Sequence, residues 1–140
     1  MYNAKMMIVM RRDLKMRKGK IAAQSGHACV EAILRTLARD DLLQKMSFDA
    51  EGMPVLDGGD DSKPVVQWFM NGEAKICVYV DSEEALLNIH KQAEEAGFVS
   101  ALICDAGMTE FHGEPTLTCL AIEPLPSELI DPITAGLPLY

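Results

Sequence analysis

KICVYVDSEEALLNIHKQAEEAGFVSALIC, residues 75–104, is the stretch on which the fold turns. Residues 75–80 are rich in β-branched and aromatic side chains, which suit an extended, half-buried strand. Asp81-Ser82-Glu83-Glu84 then reads as a capping box, with Asp81 at the N-cap paired to Glu84. The helix it opens runs to Ala96 and stops at Gly97, a residue that takes the left-handed C′ conformation without steric cost. Residues 98–104 form the next strand. Strand, helix, strand in this order predicts a right-handed crossover and an α/β layered sheet.

The flanking segments extend the pattern. Residues 5–10 (KMMIVM) read as a buried strand, and the helical pattern over residues 19–39 supplies a second crossover element. On that helix Ile21, Ala22, Cys29, Ala32, Ile33 and Leu37 fall on one side. Lys20, Gln24, His27, Glu31 and Arg35 follow at steps of four, three, four and four and are expected to share the opposite, solvent side. Residues 64–70 (PVVQWFM) read as a short helix ended by Asn71-Gly72. Residues 116–122 are a fourth strand, which can run antiparallel because no helix separates it from the third. A short final helix starts at residues 124–128, and residues 136–140 form a tail. Residues 47–63, rich in Asp and Gly, read as an acidic, flexible surface insertion in an otherwise single domain of 140 residues.

The formal net charge is −8, which argues at first against nucleic acid. Its distribution argues the other way. Residues 1–20 hold seven basic side chains and one acid, a net of +6, whereas residues 21–140 hold six basic and twenty acidic ones, a net of −14. A cluster of Arg11, Arg12, Lys15, Arg17, Lys18 and Lys20 can hold phosphates while the rest of the surface repels them; a solvated basic loop is the plain alternative. No apolar run approaches the ~20 residues of a membrane span. Residues 1–12 place the apolar stretch before the basic cluster, the reverse of a signal peptide, so a cytoplasmic location is expected. Cys29, Cys77, Cys104 and Cys119 match no zinc-ligand spacing and are expected to be reduced, buried, small hydrophobes.

Several side chains carry possible chemistry. Gly19-Lys20 opens a helix, but Leu14 and Ile21 stand where a nucleotide-binding loop needs Gly and Ser or Thr, so that reading is rejected. A lysine in a first helical turn still suits an anion. Asp105 ends a buried strand, the end of an open α/β sheet at which ligands collect; an Asx-turn is the structural alternative. His27, four residues before Glu31, can be made more basic by it. No nucleophile elbow, metal-binding helix or Cys-His signature is present.

These segments line up with a family. Residues 14–27, LKMRKGKIAAQSGH, with Asp13 before them, resemble the first motif of the type II peptidyl-tRNA hydrolases, approximately D-L-x-M-x-x-G-K-x-A-A-Q-x-x-H. Gln67-Trp68, Gly72 and Lys75 are similar to its Q-W-x-x-x-G-x-x-K stretch. Residues 100–107 with Thr109 resemble its A-L-I-x-D-A-G-R-T element. Thr116, Thr118 and the run to Pro124 resemble its final strand. Residues 128–131, Thr134, Gly136, Leu137 and Tyr140 resemble its closing segment. Met108 stands where that pattern has Arg, and Glu110 where it has Gln.

The resemblance implies a three-layer α/β/α sandwich with a mixed, mainly parallel four-stranded sheet. It implies hydrolysis of the ester bond of peptidyl-tRNA, with no metal or organic cofactor and no membrane partner. A homodimer is compatible with it. Residue by residue, it implies catalytic roles for Lys20, His27, Asp105, Thr109 and Thr118, and substrate binding by Arg12, Arg17, Lys18, Gln24 and Lys75. Asp105 or His27 would orient and deprotonate water, Lys20 and Lys75 would hold the oxyanion or a phosphate, and Thr109 and Thr118 would donate hydrogen bonds. Lys20, Gln24, His27, Asp105 and Thr109 are expected to converge on one cleft. A non-catalytic module binding RNA or protein is the alternative, favoured by the missing Arg and disfavoured by the retained Lys, His, Asp and Thr set.

Overall fold

Met6, Ile8 and Met10 point to one side of the first strand and Met7 and Val9 to the other, and both sets are buried. A strand buried on both faces needs cover on both. The computed structural model describes residues 3–57, 62–108 and 111–140. Its elements are β1 (Lys5–Arg11), α1 (Lys18–Arg39), β2 (Met46–Phe48), β3 (Pro54–Leu56), α2 (Pro64–Met70), β4 (Lys75–Val80), α3 (Glu83–Glu95), β5 (Ser100–Asp105), β6 (Thr116–Leu125) and α4 (Ser127–Thr134). Residues of α1 and α2 pack with the Met6 side, and residues of α3 and α4 pack with the Met7 side.

The main sheet has the order β4-β1-β6-β5. β1 pairs parallel with β4, while β6 pairs antiparallel with both β1 and β5. The sheet is therefore mixed, as expected, but only one of its three neighbouring pairs is parallel. β1, β4 and β5 do run the same way. β6 returns without a helical crossover and inserts between β1 and β5, which makes its two contacts antiparallel.

Four local expectations change. Ser82, not Asp81, caps α3, its Oγ accepting from Ala85 N–H at 3.0 Å, and this leaves the Asp81 carboxylate to face Arg12. On α1 the buried row is Gln24, Ala28, Ala32 and Thr36, so Gln24 lies under the helix rather than on its solvent side, while Val30 and Leu34 are exposed. The described part of residues 47–63 contains the outer part of the small β2–β3 hairpin, whose Leu56 packs against the core; Asp60 and Asp61 lie outside the described residues. Cys119 is buried and Cys29 and Cys77 are half-buried, as expected of small hydrophobes, but Cys104 is exposed. It occupies an edge strand, on the face where α1 is absent.

α1 is tied to the sheet at both ends. Near its C-terminus Arg39 makes two bonds to the buried Glu123 carboxylate, at 2.6 and 2.8 Å, and Glu123 also accepts from Val99 N–H. Those bonds to Glu123, with others to Asp40, hold the Arg39 guanidinium more firmly charged than usual. At its N-terminal end the tie is Lys20 to Asp105.

Candidate active site

The site forms where the first turns of α1 cross the ends of β5 and β6, and a β-bulge decides which side chains reach it. In β5 the pairing partner shifts from Cys119, opposite Ile103, to Leu117, opposite Cys104, so Thr118 is an extra residue in β6. A bulge of this kind disturbs the alternation of side chains. Leu117 packs on the α3 side, yet both Thr118 and Cys119 bond to Gln24 of α1. Without the bulge Thr118 would point away from α1.

Among the described residues, side-chain hydrogen bonds centred on Asp105 and Gln24 join the cluster. Lys20 Nζ donates to Asp105 Oδ1 at 2.7 Å, and the two side chains are 12% and 11% exposed. Gln24 Nε2 donates to the same oxygen over a longer 3.4 Å, and Gly107 N–H donates to Oδ2 at 2.8 Å. Thr118 Oγ1 lies 2.5 Å from Gln24 Oε1. The orientations follow from chemistry. An ionised carboxylate has only acceptors, so the Gln24 amide must present its NH₂ to Asp105. Its oxygen then faces Thr118, and the Thr118 hydroxyl must be the donor. A carboxylate offers about four acceptor positions. Among the described residues three are taken, two on Oδ1 and one on Oδ2.

The hydrogen bond from the Lys20 ammonium, reinforced by Gly107 N–H and opposed by partial burial, holds the Asp105 carboxyl below its usual range. Asp105 is thus a firm anion at neutral pH and a weak base. A catalytic base works best with a pKa near the working pH. Asp105 is suited to orienting a water rather than to taking its proton outright.

Gly107 has a backbone role that composition does not reveal. Its φ of +82° is left-handed, and a Cβ there would meet Glu114 O at 2.5 Å and Glu114 N at 2.7 Å. Gly107 O also accepts from Gly113 N–H at 2.8 Å, which closes the loop. Gly107→Ala is expected to lower turnover by about tenfold or more through loss of the Asp105 contact, and to cost roughly 1–3 kcal/mol of stability from backbone strain. Turnover and urea midpoint measured together test this; unchanged turnover in a folded variant would show that the loop does not hold Asp105.

The family profile described as peptidyl-tRNA hydrolase PTH2 matches residues 4–140. The chain belongs to this family. A protein named peptidyl-tRNA hydrolase from Pyrobaculum aerophilum is 37% identical over 99% of this chain and 98% of its own. One so named from Methanocaldococcus jannaschii is 38% identical over 96% and 98%, and one from Thermococcus onnurineus is 36% identical over 99% of each. A solved structure of a protein of unknown function from Agrobacterium tumefaciens strain C58 shares the fold alone, with a TM-score of 0.54 and 15% identity, covering 100% of this chain and 99% of that one.

Against the family motifs, the structure brings together Lys20, Gln24, Asp105 and Thr118, although the directly bonded Gln24 and Thr118 are 94 positions apart in sequence. Thr109 and Glu110 lie outside the described residues, and Met108 beside them is 85% exposed. His27 is not joined to the cluster: its ring is largely exposed and its Nε2 lies 3.7 Å from Glu31. Lys75 stands at the other end of the sheet. It begins β4, in register with Met6, and its Nζ donates to Glu73 O and lies 5.1 Å from the Trp68 ring. Thr118 is fully buried and Gln24 is 7% exposed, so neither presents itself to a ligand. Arg17 and Lys18 are exposed at the start of α1, and Arg12 is half-exposed beside Asp81. Arg11 of the basic cluster is bound down by Asp13 and Leu117 O.

Among the described residues no helix is long and apolar enough to cross a membrane. The Gly107 amide was missed by sequence reading; the only hint was a glycine two residues after an Asp, which also fits an ordinary Asx-turn.

Proposed function

We propose that this chain hydrolyses the ester joining a peptide to the 3′ end of tRNA, adding one water to give a free carboxylic acid and a free tRNA hydroxyl, in the cytoplasm. The observation that carries the reading is the Lys20–Asp105 pair, held together at the N-terminal end of α1 and braced by the Gly107 amide. In this reading Asp105 orients the attacking water, and as the C–O bond of the ester breaks the proton lost by that water passes to the departing tRNA oxygen, which leaves as the free hydroxyl. Lys20 stabilises the negative charge that develops on the carbonyl oxygen, and the electropositive start of α1 adds to it. Gln24 and Thr118 act from behind, fixing the carboxylate, rather than by touching substrate. Thr109, from the family motif, is the candidate donor to the ester. His27 and Lys75 lie outside this cluster and have no role in the step.

Arg17 and Lys18 are the exposed cations nearest the site in sequence and are assigned to tRNA phosphates, with Arg12 contributing less because Asp81 offsets its charge. Affinity for tRNA should fall steeply with salt. Neutralising Arg17 and Lys18 together should flatten the slope of log K against log salt by about 1–2, since each phosphate contact contributes about 0.7–0.9. Filter-binding titrations at several salt concentrations measure this, and an unchanged slope would remove both residues from the interface.

The direct test is a single-turnover assay on peptidyl-tRNA beside aminoacyl-tRNA. Release of tRNA from the former and not the latter is the expected result. Salt-dependent RNA binding with no turnover on several peptidyl-tRNAs would overturn the enzyme reading in favour of a binding module, with Met108 in place of Arg as the first suspect.

A further inference from the structure

We propose that Arg12, Tyr79 and Tyr140 form a stacking platform for an unpaired nucleobase near the 3′ end of tRNA, an inference that rests on the reading above. The platform is assembled by the tail. Tyr140 N–H donates to Cys77 O and Tyr79 N–H donates to Pro138 O, both at 3.0 Å, so the tail bridges antiparallel to β4 at Val78 and Leu139. This sets the Tyr140 ring edge-on to Tyr79, centroids 5.8 Å apart at 84°. The Arg12 guanidinium lies 3.8 Å from the centre of the Tyr79 ring. Asp81, released from capping duty by Ser82, holds the edge of that guanidinium at 3.3 and 3.4 Å. Tyr140 remains 46% exposed and the Arg12 side chain 51%.

The position relative to the site follows from the register. Met10 and Ile103 both pair with Cys119, so Arg12, just past the end of β1, and Asp105, the last residue of β5, each two residues further on, stand at about the same level. β6 lies between β1 and β5, and β4 lies one strand beyond β1. At about 4.8 Å per strand the platform stands roughly 10–14 Å from Asp105. Cys77 packs on the α1 side, and Tyr79, two residues on, faces the same way. An ester at Lys20 and Asp105 would place a base only a nucleotide or two away over these rings.

The chemistry favours a base over a phosphate. The charge of Arg12 is already offset by Asp81, while its plane, laid on Tyr79, and the exposed Tyr140 ring are flat π groups of the kind that hold unpaired RNA bases. A stacking contact, unlike a phosphate contact, carries no counterion release.

The test uses deacylated tRNA, intact or lacking its unpaired 3′ nucleotides, titrated at several salt concentrations against the unmodified protein, Tyr140→Ala and Tyr140→Phe, each checked for folding by thermal melt. Tyr140→Ala should weaken intact tRNA by about fivefold to a hundredfold, leave the truncated RNA unaffected and keep the salt slope, while Tyr140→Phe retains affinity. Equal affinities for Tyr140→Ala and the unmodified protein, or equal losses on both RNAs, would overturn the platform. Because binding needs no turnover, this failure is distinct from failure of the hydrolase reading, which would appear as absent turnover in the unmodified protein.

Discussion

Replacing Asp105 by Asn is expected to lower single-turnover hydrolysis of peptidyl-tRNA by about 10²-fold or more, the scale of misplacing a reacting group, with tRNA affinity unchanged or slightly raised. The asymmetry has a plain cause. A carboxylate cannot attract a phosphate, so its loss does not weaken docking. Its two oxygens do accept from Lys20 and Gly107, and an Asn side chain either turns its NH₂ toward Lys20, two donors facing one another, or toward Gly107 N–H with the same conflict. The pH profile supplies a second readout. Lys20, helped by Gly107 N–H, holds the Asp105 carboxyl below its ordinary 3.8. A depressed carboxyl is in its working, ionised form above that range and loses it only as pH falls through the lowered value, so the acid limb of the rate should lie below pH 3.8 and vanish in Asp105→Asn. Full activity in a folded Asp105→Asn variant would end the catalytic assignment.

Much of this was legible in the sequence, for reasons that name its limits. The elements β1, α1, α2, β4, α3, β5, β6 and α4 were visible because hydrophobic period and turn residues act locally: Pro64 opens α2, and Gly97 takes φ +85° after α3. What escaped was non-local. The insertion of β6 between β1 and β5 is a matter of tertiary pairing, which no period encodes, and it turned a mainly parallel expectation into a sheet with one parallel pair. The solvent-facing stripe on α1 failed at Gln24 because a glutamine bonded to the buried Thr118 and the part-buried Asp105 is as well satisfied under a helix as outside it. The bulge at Thr118 left no composition signal, since Thr suits a regular strand equally well. The meeting of Lys20 and Gln24 with Asp105 was expected from their shared helix face and the strand-end position of Asp105 as well as from the family motifs; the same helix spacing had included His27, which the structure leaves apart.

Lys20→Ala should be the more informative lesion, because it removes a charge from two processes at once. Turnover should fall by about 10²-fold or more, the scale for losing one donor to a developing oxyanion. Binding should also weaken, since Asp105 is left as an uncompensated carboxylate close to the incoming phosphates. With its principal stabilising partner gone, the Asp105 carboxyl should rise from its depressed value toward the ordinary one, moving the acid limb of the rate upward in pH. The pairing can be isolated by a double-mutant cycle. Lys20 and Asp105 touch at 2.7 Å with both side chains largely shielded, so their effects should not add. Lys20→Ala combined with Asp105→Asn relieves the stranded anion, and tRNA affinity should recover relative to Lys20→Ala alone. Turnover of the double variant should resemble that of the worse single variant rather than the product of the two losses, as happens when two residues act as one unit. Strictly multiplicative losses in turnover, with no recovery of affinity, would show that the contact seen between these side chains is not the working arrangement of the site.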